Sequence, residues 1–281
     1  MKQIILLSYI LFFFPSIVLS ADGIYKESPE YYVKELYVKS GLKIQIDSFS
    51  SILLTQIEAE IKNDPDKNKY KPNEIKNLVK VINDVFGASD LNKKSLEILS
   101  QDLSKSEIKS LLSWFDSAVG KKVGWYEDHI STRAGYLAMN DYEKNLAINP
   151  PTKEYKRTIK QLISNMKVME AAVDIALINQ ILVITAMASL RPNFTADMFE
   201  KISIKSERNK NVLKKKVEGD MSLIMLFSYS YLSKEEVNKY LEFTNTSLGK
   251  KYFPTMVKAL NVTFRKASVE FRDKIIKEIN H

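Results

Sequence analysis

Two Gly-Lys-Lys segments are the residues of this chain whose type and spacing come closest to a chemical site. The first comprises Gly120, Lys121 and Lys122, and the second comprises Gly249, Lys250 and Lys251. Paired lysines beside a glycine could contact an anion, because glycine lets a ligand approach the backbone closely. Neither segment matches the glycine-rich phosphate-binding loop of nucleotide-binding proteins. The sequence therefore favours the other interpretation, in which the glycines allow close packing of helices.

Few other residues suit catalysis or metal binding. The chain has 2 His and 0 Cys, which excludes thiol chemistry and disulfide bonds. His129 directly follows Glu127 and Asp128, so on a helix the three side chains point apart and cannot chelate one metal ion. His281 is the last residue, and no Gly-x-Ser-x-Gly turn is present for a serine nucleophile. We therefore expect the protein to have no metal site, no cofactor and no catalytic activity. The alternative that the spacing leaves open is a pair of catalytic carboxylates that meet in the folded structure.

Aromatic side chains near the Gly-Lys-Lys segments could line a ligand groove. The candidates are Trp114, Trp125, Tyr126 and Phe243. Aromatic residues at such positions more often belong to a hydrophobic core, and Trp125 and Tyr126 could also lie at a seam between two halves of the protein.

The spacing between the two segments extends to other residues and indicates an internal duplication. Residues 103–108 (LSKSEI) recur as residues 232–237 (LSKEEV), and the offset of 129 also aligns apolar positions at 42–53 with those at 171–182. We therefore predict two tandem helical-bundle units, at residues 21–148 and 152–281.

Apolar residues that recur every three or four positions predict an all-α fold. The stripe from Leu42 to Ile61 predicts one helix, and residues 73–86 predict another. Ser104 and Ser233 each begin a Ser-x-x-Glu capping box and should open a long helix. The first of these helices should reach Asn145 and the second the C-terminus.

Gly120 and Gly249 would then lie inside long helices, where glycine costs about 1 kcal/mol relative to alanine. A close approach of a neighbouring helix, or a kink at the glycine, should offset this cost. The lysines that follow each glycine would flank the crossing.

The N-terminus resembles a secretory signal peptide at residues 1–20. Lys2 precedes an apolar run from Ile4 to Leu19, and small residues lie before Ala21. The alternative is an uncleaved membrane anchor. We expect cleavage before Ala21 and export to the periplasm or the medium.

The run from 171 to 190 holds 15 apolar residues among 20 and is nearly long enough to span a bilayer. Because polar residues recur within it, a buried central helix is favoured over membrane insertion. The net charge of +8 favours anionic surfaces such as lipid head groups. Export argues against nucleic acid as the partner, and the basic residues are spread along the chain as on a solvated helical surface.

A helix that opens with Leu-Ser-x-x-Glu and continues to an aromatic residue and Ser-x-x-Gly-Lys-Lys resembles the bacterial exported domain DUF2059. The matches are Trp114, Ser117 and the first Gly-Lys-Lys segment, then Phe243 and the second segment, and Thr246-Ser247 replaces the usual Ser-Pro. The resemblance covers 30–145 and 152–275. It implies a helical exported protein but no reaction and no catalytic residue.

These patterns lead us to expect a non-catalytic exported protein with a binding or structural role. The alternative is a cell-envelope carrier or sensor that holds a lipid or another amphipathic ligand between helices. The sequence does not identify the partner, which could be an anionic or amphipathic envelope ligand or another protein.

Overall fold

A computed structural model describes residues 28–130, 132–191 and 194–279, and its regular structure is helical, with no strand among these residues. The α-helices in chain order are α1 (Pro29–Lys39), α2 (Leu42–Asn63), α3 (Pro72–Phe86), α4 (Ala88–Asp102), α5 (Lys105–Asp116), α6 (Ala118–His129), α7 (Arg133–Asn145), α8 (Lys153–Met166), α9 (Val168–Ser189), α10 (Ala196–Arg208), α11 (Lys210–Ser228), α12 (Lys234–Asn245) and α13 (Ser247–Ile279). The all-α prediction is confirmed. The expected signal peptide at 1–20, the cleavage position at Ala21 and His281 lie outside the described residues.

Several helix ends follow the sequence signals. The stripe from Leu42 to Ile61 forms α2, and the segment 73–86 lies in α3. At the start of α5 the Ser104 Oγ accepts the Glu107 N–H at 3.3 Å, and the Glu107 Oε2 accepts the Ser104 N–H at 2.7 Å. Ser233 and Glu236 form the same reciprocal pair at the start of α12, so both predicted capping boxes are present.

The predicted long helices are broken, and this part of the prediction is wrong. The helix that begins after Ser104 ends at Asp116, and α6 and α7 follow it before Asn145. The helix that begins after Ser233 ends at Asn245, and α13 then continues to Ile279.

A hydroxyl side chain makes each break. Ser117 Oγ donates to the Trp114 carbonyl at 2.6 Å and accepts the Gly120 N–H at 3.0 Å. One side chain thus satisfies the last turn of α5 and the first turn of α6, so the chain can change direction within one residue. Thr246 joins α12 to α13 in the same way, and Thr132 joins α6 to α7.

Glycine is required three residues after each hydroxyl because a backbone carbonyl lies where a side chain would begin. A Cβ added to Gly120 would be 2.1 Å from the Trp114 oxygen, and one added to Gly249 would be 2.2 Å from the Phe243 oxygen. A Cβ added to Gly135 would likewise be 2.0 Å from the His129 oxygen. The expected close packing is therefore present, but the glycines lie in the first turn of new helices and contact the preceding helix.

The hydrophobic core contains residues from both halves of the chain in one cluster. The last helix, α13, packs on α3 and α4 of the first half as well as on α8 and α9 of the second. Phe264 of α13 packs on Phe49 of α2 with tilted rings whose centroids are 4.2 Å apart, and the ring of Phe271 lies 6.0 Å from that of Phe86 in α3. The first half therefore depends on the end of the chain to cover its apolar surface.

Helix α9 is the centre of this core. It is the one helix among the described residues that is long and apolar enough to cross a membrane. However, α2, α8, α10, α11 and α13 surround it. This position explains why its apolar residues face all directions, and it favours the predicted central helix over membrane insertion.

We predict that Gly120→Ala and Gly249→Ala each lower the free energy of unfolding by more than about 1 kcal/mol, because a methyl group would displace a backbone carbonyl. Gly219 is the matched control. It lies within α11, and a Cβ there would meet no atom within 4 Å. Gly219→Ala should stabilise the protein by up to about 1 kcal/mol through helix propensity. Thermal or urea melts of the three variants measure these signs, and a stabilised Gly120→Ala variant would contradict the account.

Candidate ligand groove

A groove of about 1200 Å³ lies between the C-terminal half of α2, the exposed side of α9 and the junction of α10 with α11. Its walls are mainly apolar and include Val183, Met187 and Leu213. Such a volume is at or slightly above the range of small-molecule sites, which are typically about 300–1,000 Å³. The groove is therefore large enough for a long-chain organic ligand.

Large apolar side chains that line the groove are exposed to solvent. Ile184 is 39% exposed, Met198 is 43% exposed and Val212 is 73% exposed. Single exposed apolar residues are common, but three around one groove form an apolar patch of the kind that is found at binding sites.

Polar side chains at the α2 end of the groove form an ordered group. Asp64, which caps the C-terminus of α2, accepts hydrogen bonds from Tyr70 and from Arg191. The Tyr70 hydroxyl and the Asp66 N–H, together with Arg191, lower the pKa of the Asp64 carboxyl, so this carboxyl stays ionised. Deeper in the groove, the Asn179 amide donates to Gln56 Oε1 at 2.7 Å and joins α9 to α2.

The Gly-Lys-Lys segments lie elsewhere, at the contact between the two halves. Lys122 Nζ is 2.6 Å from Glu236 Oε1, and Lys251 Nζ is 2.7 Å from Glu107 Oε1. Each of these lysines thus pairs with the capping-box glutamate of the other half. Lys121 and Lys250 are exposed on the surface.

The lysine contacts lower the pKa values of the two capping-box glutamates. The hydrogen bond from Lys251, with those from Ser104, lowers the pKa of Glu107 to about 2. The hydrogen bond from Lys122 also lowers the pKa of Glu236. These two lysines therefore pair with carboxylates of the protein itself.

The aromatic candidates separate into two places. Trp114 stacks on Phe243 with ring centroids 4.1 Å apart and on Tyr240 at 5.4 Å, so it joins α5 to α12 at the contact between the halves. Tyr126 stacks on Tyr231 at 5.0 Å, as expected for a residue at the seam.

Trp125 lies nearer the surface. It is 51% exposed and stacks on His129 at 5.1 Å. None of the four aromatic candidates lines the α2–α9–α11 groove.

Sequence reasoning considered Glu127 only as a metal ligand beside His129 and missed that it is a buried carboxyl group at the same seam. Its side chain is 1% exposed and accepts hydrogen bonds from the Tyr229 hydroxyl and, at 3.4 Å, from the Tyr240 hydroxyl. Burial raises the pKa of Glu127 well above its usual range, and the tyrosine donors oppose this only in part. A cavity of about 40 Å³ adjoins it. Burial thus favours the protonated form of Glu127, and its hydrogen bonds to Tyr229 and Tyr240 make it a polar contact between the halves.

The described residues hold no group of three or more histidine, cysteine or carboxylate side chains that could bind a metal ion. The groove residues were also missed by sequence reasoning, because they come from four separate helices. The sequence feature that could have indicated the groove is an apolar residue within a charged segment, such as Val212 among lysines.

Comparison with protein-family models, with characterised proteins and with solved structures finds no match. The resemblance to DUF2059 therefore depends on the motif residues alone.

We predict that Lys251→Met raises the pKa of Glu107 from about 2 toward its usual value of 4.5. In the parent protein the lowered pKa of Glu107 stabilises the folded state above the unfolded pKa of about 4.5, and this stabilisation is lost as the pH falls from about 4.5 toward about 2. In the variant the same stabilisation should be lost at a higher pH. The pair is partly exposed, so stability at neutral pH should change by at most about 1 kcal/mol. Carboxyl NMR titration measures the shift, and Lys250→Met is the control. An unchanged titration of Glu107 would refute the contact.

We predict that Glu127→Gln makes the free energy of unfolding less sensitive to rising pH. A carboxyl whose pKa is raised on folding favours the folded state below its unfolded pKa of about 4.5, and this advantage is lost as pH rises. The variant should therefore gain up to about 1.4 kcal/mol of relative stability for each pH unit above that value. Urea melts between pH 5 and pH 8 would measure the difference. Tyr229→Phe removes one donor and should raise the pKa of Glu127 further; parallel pH profiles for Glu127→Gln and the parent protein would contradict the assignment.

Proposed function

We propose that the protein is an exported, non-catalytic binding protein that holds an amphipathic molecule with an acyl chain in the groove beside α9. The observation that carries this proposal is an apolar groove of about 1200 Å³ with exposed apolar side chains along it. A role as a cell-envelope carrier or sensor agrees with this geometry better than a purely structural role does.

The composition of the groove favours an acyl chain. Its middle is formed by aliphatic and methionine side chains, which contact a flexible hydrocarbon without directional bonds. Its polar residues, which include Asp64, Arg191 and Lys216, could contact a head group. The lining contains no histidine and no cysteine, in keeping with a site that binds without reaction.

The contacts between the halves support the proposed duplication. The helices follow in matching order, since α1 to α6 correspond to α8 to α13, and α2 and α9 each span 22 residues after a residue with a left-handed backbone. The Lys122–Glu236 and Lys251–Glu107 pairs are equivalent under an offset of 129 residues, as are Trp114 and Phe243. Each half therefore presents the same surface to the other, as in a two-fold symmetric dimer.

The offset is not constant along the chain. The left-handed residues are Gly41 and Lys167, so the starts of α2 and α9 are 126 residues apart. The difference of three residues is close to one helical turn, which keeps the apolar positions on the same face. This explains why the apolar stripes also align at 129.

Export and membership of the DUF2059 group remain part of the proposal. The signal-like residues 1–20 and the absence of cysteine support export, and the two Gly-Lys-Lys segments, each preceded by a hydroxyl residue (Ser117 or Thr246), support the resemblance to DUF2059. A protein of the cell envelope would meet acyl-chain molecules in that compartment.

We predict that the purified protein binds a fluorescent fatty-acid analogue and that Ile184→Asp weakens this binding by about tenfold or more, because it puts a charge against the acyl chain. Ile44→Asp is the matched control, since Ile44 has a similar exposure of 45% at the opposite end of α2. Titration of probe fluorescence measures both affinities. Native mass spectrometry of protein from its own host should also show a bound amphipathic molecule. Absence of probe binding, or equal loss in both variants, would refute the groove as the site.

A further inference from the structure

The junction of α10 with α11, at the mouth of the groove, is strongly basic. Residues 201–216 include seven basic residues and one acidic residue, Glu207. Three of the basic residues have carboxylate partners: Lys201 with Asp197, Lys210 with Asp174, and Lys214 with Glu218. The charge of the junction is therefore only partly compensated.

Four basic residues remain without a carboxylate partner among the described residues: Lys216 is half-buried in the groove lining, and Lys205, Arg208 and Lys215 lie on the surface. The positive charge of the three surface residues is therefore available to an external anion.

Exposed apolar side chains lie among these cations at helical spacing. On α10, Ile204 is 52% exposed and lies four residues before Arg208. On α11, Val212 is 73% exposed and lies three residues before Lys215. Residues three or four positions apart share one face of a helix, so each apolar side chain is next to a cation on the surface.

We propose that this junction docks on an anionic lipid surface, with Ile204 and Val212 inserted between head groups and Lys205, Arg208 and Lys215 bound to phosphates. A helical surface that combines basic and apolar side chains is typical of proteins that lie in the membrane interface. Nucleic acid fits less well, because its phosphate backbone would leave both apolar side chains without a partner and the junction has no exposed aromatic side chain to stack on a base.

Docking in this orientation places the groove mouth against the bilayer. Val212 belongs both to the junction and to the groove lining, and Met198 of α10 also lines the groove. A ligand could then move between bilayer and groove without crossing water. This transfer step depends on the proposed function, but the docking itself does not.

The test uses the full mature chain and vesicles of equal parts phosphatidylglycerol and phosphatidylcholine. We expect co-sedimentation that weakens with salt and is absent for pure phosphatidylcholine vesicles. The triple variant Lys205→Gln, Arg208→Gln, Lys215→Gln should bind about 100-fold more weakly, since each basic residue near an anionic surface contributes about fivefold. The control Lys76→Gln, Lys80→Gln, Lys93→Gln removes the same charge from α3 and α4 and should retain most of the binding.

Insertion can be measured separately because the chain has 0 Cys. An environment-sensitive fluorophore on Val212→Cys should shift to shorter wavelength on these vesicles, and the same label on Ile44→Cys should not. Failure of the parent protein to bind, equal losses in both triple variants, or no shift at residue 212 would each overturn the proposal. Tighter binding of mixed-sequence duplex DNA than of the vesicles would overturn it in favour of nucleic acid.

If the vesicles bind but Ile184→Asp leaves probe affinity unchanged, the docking stands and the groove proposal fails. If the probe binds in the groove but the protein does not bind the vesicles, the proposal of a ligand groove is supported and the proposal of membrane docking is refuted.

Discussion

The absence of a side chain at residues 120 and 249 is the constraint on which the contact between the halves depends. At each position a backbone carbonyl of the preceding helix occupies the place of a Cβ. This close approach sets the direction of α6 and α13. Lys122 and Glu127 reach the second half from α6, and Lys251 reaches the first half from α13. A larger residue at either glycine would move all of these side chains together.

The two ion pairs between the halves, Lys122–Glu236 and Lys251–Glu107, contribute more to the relative orientation of the halves than to stability. Lys122 and Lys251 are about half exposed, and pairs of this kind contribute little free energy in water. The stacked rings of Trp114 and Phe243 and the buried Glu127 provide the desolvated contacts at the same seam. Apolar burial therefore holds the halves together, and the charged pairs select one arrangement among those that burial alone would permit.

The sequence predicted those elements that local chemistry determines. Apolar periodicity located α2 and α3, and both capping boxes form because Ser-x-x-Glu satisfies the first turn of a helix by itself. The breaks at Ser117 and Thr246 were missed because Gly120 and Gly249 were interpreted as helix interior, although a Ser or Thr three residues before glycine is also a capping pattern. Glu127 and the groove could not be predicted, because their environment comes from helices that are distant in sequence.

Helix α13 has a consequence for the order in which the chain can fold. Phe264 and Phe271 cover Phe49 and Phe86 of the first half, yet the ribosome makes them last. Until they emerge, the first half has an open apolar face and no complete core, because these contacts close a loop of more than half the chain. Such a topology delays completion of the core until α13 has been synthesised, a delay that agrees with the export proposed above.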